Sequence, residues 1–213
     1  MGGWQLIRKG RIPVLFVMAT EQEYGPELRK RIHPLITGVG PVEAAAVTAE
    51  ALAALRAQGE LPQLVFSLGS AGSRNLEHAE VYQLASVSYR DMDCSPLGFA
   101  RGLVPFLDEP AVIPIAQQIP GIASASIATG ASIVSGAMYD AIEADMVDME
   151  SYAVYRAAMR FGVPMIGLRG ITDGKSELAR YEDWADYLEI VDRKLALDVD
   201  QFFAAIESGA FTL

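Results

Sequence analysis

The sequence predicts an α/β fold: a three-layer α/β/α sandwich around a central mixed, mainly parallel sheet. Two observations carry this. Short apolar runs alternate with stretches of helical periodicity along most of the chain, the pattern of strand–helix units whose sheet is covered on both faces. The apolar runs are nearly continuous rather than alternating, as expected of strands buried on both sides. At 213 residues with 51% hydrophobic composition, the chain is long enough to bury a substantial core and reads as a single domain over residues 1–213.

The elements follow in order. The run "VLFVMA" (14–19) predicts a first strand. Basic residues precede it, but it is too short for a secretory signal and no small-residue cleavage pattern follows. "EQEYGPELRKRI" reads as a short polar helix and "PLITGVG" (34–40) as strand and turn. The alanine-rich helix that follows opens at Pro41 and stops at Gly59, proline at the first helical position and glycine beyond the last. "LVFSLGSAG" (64–72), "VYQLASVSYRD" (81–91) and "IASASIATG" (122–130) predict three further strands. Between the last two, residues 96–120 form the least regular stretch, a long connection that reaches toward a neighbouring subunit. A helix is predicted over Val147 to Phe161, then a strand over "MIGLRGITDG" (165–174), and the tail from Tyr181 to Ser208 carries a long amphipathic helix.

The helix over 147–161 carries an oddity. From Glu150, helical spacing gives Ala153, Val154, Ala157, Ala158 and Phe161, an apolar stripe headed by a carboxylate. Asp145 and Asp148 are accounted for as first-turn acids that complement the helix dipole or cap it. Glu150 is not, because an unpartnered buried carboxylate is costly.

Composition excludes several classes of function. A net charge of −10 argues against nonspecific nucleic-acid binding. No apolar run is long enough to span a membrane. The single cysteine, Cys94, excludes an internal disulfide framework and fits a reducing cytoplasm; two isolated histidines offer no zinc spacing. "GVGPVE" lacks the third glycine of a dinucleotide fingerprint, Glu43 standing in its place, and no phosphate-binding GxxxxGK[ST] occurs. The expectation is a small-molecule enzyme without metal or cofactor.

In sheets of this kind ligands bind beyond the carboxyl ends of the strands. Those ends deliver Glu21 and Glu23, the "TGVG" turn, "GSAG" with Ser70, and Arg169, Thr172 and Asp173, with Glu150 nearby.

The order and spacing of "TGVGPVEAA", "SLGSAG", "VDMESYAV" and "LRGITDG" resemble the purine nucleoside phosphorylase and nucleosidase superfamily. The likeness is strongest to 5′-methylthioadenosine/S-adenosylhomocysteine nucleosidases, from about Val14 to Gly209. It implies hydrolysis of a purine nucleoside by a homodimer; the alternatives are phosphorolysis, or nucleoside binding without catalysis. On this resemblance Glu150 binds the ribose hydroxyls and Met149 packs against ribose and base. Asp173 protonates or hydrogen-bonds the purine N7, Glu23 activates water, and Ser70 and Arg169 hold that water. Val39, Tyr181 and Phe99 of a partner chain border the 5′ substituent, and Ile133 and Val134 meet the base. Chemically, N-glycosidic cleavage builds positive charge on the ribose and negative charge on the purine, which calls for an acid at the base and a carboxylate for water. Asp173 is then expected to have a raised pKa while Glu23 stays ionised beside Arg169. The chain departs from the family in a short Glu23–Gly38 connection, in Ala131 where an acid is usual, and in Ile133 where an aromatic stacks on the base.

Overall fold

The computed structural model describes residues 3–9, 12–174 and 184–213. Among these the elements run β1 (Ile7–Lys9), β2 (Ile12–Met18), α1 (Pro26–Arg29), β3 (Leu35–Ile36), α2 (Pro41–Ala57), β4 (Leu64–Gly72) and β5 (Val81–Tyr89). β6 (Val112–Pro114), β7 (Ser124–Thr129), β8 (Met146–Asp148), α3 (Ser151–Met159), β9 (Met165–Asp173) and α4 (Leu188–Ser208) follow. All nine strands share one mixed sheet in the order β1-β2-β4-β8-β7-β5-β6, with β3 beside β2. β9 lies parallel to β4 and antiparallel to β5. Because β4 also touches β8 at Gly72–Val147, the strands β4, β9, β5, β7 and β8 close on themselves. That closure brings the carboxyl ends of β4, β7 and β9 to one rim, where the site lies.

Helices cover both faces, α2 packing on α3 and α1 on α4. β4 and β9 are buried almost throughout, which is why their sequences read as continuous apolar runs. Phe16 stacks on Phe66 at 5.2 Å between ring centroids, and Phe202 of α4 meets Phe66 edge-on at 4.9 Å. α4 buries Val191, Leu195, Val199, Phe202, Phe203 and Ile206, the stripe expected of an amphipathic helix.

Three expectations change. The helix predicted from Val147 begins only at Ser151; Met146–Asp148 is a buried strand paired with β7. The helical spacing there is outweighed by the hydrogen bonds that β7 offers. Asp145 is therefore no first-turn acid: its carboxylate accepts from Ser126 N and Oγ, tying β7 to the approach to β8. "EQEYGPELRKRI" contains only the single helical turn α1, whose Glu27 and Leu28 N–H groups donate to the buried Asp192 carboxylate at 2.8 and 3.1 Å. The irregular stretch 96–120 contributes β6, antiparallel to β5. Among the described residues no helix is long and apolar enough to cross a membrane.

Candidate active site

A cleft of about 540 Å³ opens at the strand rim, and Glu23, Ser70, Glu150, Met149, Asp173 and Val39 are among the residues lining it. Ile133 and Val134 line it too. Glu23 arrives there through a turn after β2, in which Glu23 N donates to Thr20 O and Tyr24 N to Glu21 O. The turn points Glu23 inward and Glu21 outward. Glu21 pairs with Arg29 at 2.6 Å and stays solvent-exposed, so it does not join Glu23 on the rim as the strand ends suggest.

Ser70, near the end of β4, holds Glu23 through two donors to Oε1: its backbone N–H at 2.9 Å and its hydroxyl. Glu23 Oε2 is buried without a hydrogen-bond partner among the described residues. Burial raises the Glu23 pKa, and the Ser70 hydrogen bonds and then the Arg169 charge draw it back down. Burial prevails, against the expectation of a carboxylate kept fully ionised by Arg169.

Arg169 is itself buried beneath the cleft. Its Nε and Nη2 each donate to Asp148 Oδ2 at 3.1 Å, and Nη2 also reaches Ser67 Oγ and Ser151 Oγ at 2.9 and 2.8 Å. The main partner of Arg169 is thus Asp148, and its hold on Glu23 is secondary. Between them lies a cavity of about 10 Å³, lined by Glu23, Ser67, Ser70, Glu150 and Arg169 among others, room for one water molecule.

Glu150 stands at the start of α3, where its carbonyl accepts from Val154 N at 2.9 Å. Its side chain turns across the cleft and accepts from Gly40 N at 2.9 Å. Gly40 sits at φ 99°, a conformation that side-chain-bearing residues rarely adopt, and this aims its N–H at the carboxylate. One hydrogen bond does not offset burial. Burial first and the Asp148 charge second push the Glu150 pKa up to about 7.

Asp173 ends β9. Thr172 Oγ1 donates to its Oδ2 at 3.0 Å, and burial raises its pKa as expected, opposed by that hydrogen bond and the His78 charge. Its Oδ1 and the Tyr139 hydroxyl would each lie 2.4 Å from a Cβ built at Gly72. A side chain at 72 would push the Asp173 carboxyl group and the Tyr139 hydroxyl aside, so the last glycine of "GSAG" leaves room for Asp173 in the cleft.

Phe99 lies off this cleft, edge-on to Phe106 at 5.9 Å. Tyr181 falls outside the described residues. Trp184 is an aromatic in the cleft wall, and its Nε1 donates to Ser70 Oγ at 2.9 Å. Tyr181, Trp184 and Tyr187 follow one another closely in sequence, and nothing local selects among them. Arg90 also lines the cleft, donating to Asp91 Oδ1 at 3.2 Å and to Ser132 Oγ at 3.1 Å. It is a cation that the motifs do not supply; its signal was the arginine just after a strand in "YRD". No cluster of three or more His, Cys, Asp or Glu able to hold a metal occurs among the described residues.

The likeness to known proteins covers most of the chain. The 5′-methylthioadenosine/S-adenosylhomocysteine nucleosidase of Actinobacillus succinogenes is 29% identical over 162 residues, 68% of this chain and 68% of that one. The enzyme of the same name from Haemophilus influenzae strain PittEE is 29% identical over 189 residues, covering 75% of this chain and 80% of its own. Among solved structures, the Neisseria meningitidis nucleosidase in complex with methylthio-immucillin-A superposes with a TM-score of 0.71 at 22% identity, over 92% of this chain and 98% of that one. A futalosine hydrolase mutant of Helicobacter pylori gives 0.68 at 18% identity, with the same coverage. Both share the mixed-sheet fold. Residues 26–204 match the phosphorylase superfamily, and the chain belongs to that family.

Proposed function

We propose that this protein hydrolyses the N-glycosidic bond of a purine nucleoside of the 5′-methylthioadenosine/S-adenosylhomocysteine type. The observation that carries the reading is one cleft lined by two partly buried carboxyl groups, Glu23 and Asp173, with Glu150 in the same wall. Both pKa values are raised by burial, which suits proton transfer near neutral pH. The relatives bearing that nucleosidase name support the substrate class.

In the proposed reaction, water takes its place beside Glu23 and gives up a proton to it as its oxygen bonds to C1′. The C1′–N9 bond breaks, and Asp173 hands its proton to N7 of the departing base. Glu150 accepts from the ribose hydroxyls, which would complete a hydrogen-bond set now consisting of Gly40 N–H. Met149, Ile133 and Val134 enclose the base and ribose, and Val39 borders the 5′ group. The chain works as one domain, in the cytoplasm, as a homodimer in which Phe99 reaches the neighbouring cleft. The unpaired thiol of Cys94 is in keeping with a reducing compartment.

Glu23, in the turn after β2, disfavours a phosphate dianion beside it, and the Arg90 charge is engaged by Asp91. Base release from 5′-methylthioadenosine, followed with and without phosphate, tests this. Release is expected without phosphate, yielding the free ribose derivative, and to fall by about 10²–10⁴ in Asp173→Asn and in Glu23→Gln. Phosphate-dependent release of ribose 1-phosphate would make the protein a phosphorylase. Binding without release would make it a nucleoside-binding protein.

A further inference from the structure

We infer that Trp184 is a positioning residue for Glu23, acting through Ser70, and that it selects which oxygen of the Glu23 carboxylate takes the proton from water. The inference rests on the nucleosidase reading. A serine hydroxyl has one proton to give and two lone pairs to receive with. The Trp184 indole N–H occupies one lone pair of Ser70 Oγ at 2.9 Å. The Ser70 proton is directed to Glu23 Oε1, which the Ser70 backbone N–H also reaches at 2.9 Å. With Oε1 held by both Ser70 donors, Oε2 is left buried and without a hydrogen-bond partner among the described residues. Glu23 lines the 10 Å³ cavity that has room for one water. The chain indole–hydroxyl–carboxylate therefore locks Oε1 as an acceptor and leaves Oε2 to act as base. Each donor polarises the next, so the indole strengthens the hydrogen bond that Ser70 gives.

Trp184 also forms part of the cleft wall, and phenylalanine separates the two roles by keeping an aromatic ring while removing the N–H. In Trp184→Phe, KM is expected to stay within about threefold while kcat falls about tenfold. The acid limb of the kcat/KM profile should move to higher pH, because a carboxylate with a weaker donor holds its proton more tightly. In a Ser70→Ala background the same substitution should change kcat little, since the link through the hydroxyl is already gone. A raised KM with unchanged kcat and pH profile would reduce Trp184 to a wall and overturn the inference. So would an equal loss of kcat in both backgrounds. A wild-type protein that releases no base would instead remove the nucleosidase reading. The hydrogen bond itself has a readout free of activity: the chain has two tryptophans, so Trp4→Phe leaves Trp184 as sole reporter. Its emission should shift on Ser70→Ala, and an unchanged spectrum would show that the contact is not made.

Discussion

Glu150 keeps a carboxylate where burial works against its charge, with a pKa pushed up to about 7 from an ordinary 4.5. The sign of the consequence is fixed. A folded-state value above the unfolded one means the folded protein holds the proton more tightly, so this group favours folding below about pH 4.5. That contribution is lost as pH rises from 4.5 through 7. Glutamine at 150 carries no charge and keeps an oxygen for Gly40 N–H. Glu150→Gln is therefore expected to be more stable than wild type above pH 7, by on the order of 2–3 kcal/mol. The gap should close as pH falls toward 4.5, as read by urea unfolding across that range. If the carboxylate serves the ribose diol, the same variant discriminates less well between ribosides and 2′-deoxyribosides. A stability curve parallel to that of wild type at every pH would show that Glu150 carries no such burial cost.

At the scale of elements, the junction of β8 and α3 is held by charge. Asp148 accepts from Thr129 Oγ1 at 2.6 Å, from Ser151 N at 2.9 Å and from Arg169, so it binds β7, α3 and β9 together. The pair is buried on both sides. Removing one member leaves the other charge without compensation, so Asp148→Ala is expected to cost about 3–5 kcal/mol, measured as a shift in denaturant midpoint. A loss below 1 kcal/mol would mean that water reaches Arg169. The sequence presents Asp148 as an acid in the first turn of a helix, and in one respect that is right: its Oδ2 does accept the Ser151 N–H at the start of α3. What the local pattern does not contain is the partner strand that turns Met146–Asp148 into β8, since Thr129 and Asp148 stand far apart in the chain.

For the whole molecule, the open question on the surface is what covers its large apolar side chains. Phe106 is 99% exposed, Leu97 78% and Ile133 64%, and Phe106 meets Phe99 edge-on. An aromatic pair such as Phe99 and the exposed Phe106 is the kind of apolar surface that a partner subunit covers in the homodimer proposed above. If the protein is the homodimer proposed above, Phe106→Glu is expected to make it a monomer at micromolar concentration, by light scattering, and to raise KM if Phe99 borders the neighbouring cleft. Wild-type protein that is monomeric at that concentration would end both expectations.

The sequence by itself determined the longer strands and helices but not the short strands β1, β6 and β8, because buried strands such as 64–72 and 165–173 and the punctuated helix at Pro41 are specified by local composition and turns. It also brought Glu23, Ser70, Glu150 and Asp173 to one rim, since strand ends in such sheets converge. The tertiary structure alone decided which way each side chain faces and what it meets. Glu21 and Glu23 are two residues apart, yet one turns to Arg29 and the other to Ser70. Arg169 pairs with Asp148, and Trp184 and Arg90 line the cleft from segments with no motif. The reason is physical: backbone pattern is set by neighbours in the chain, whereas burial, charge pairing and the pKa values they shift depend on groups that only the closed sheet brings within a few ångströms.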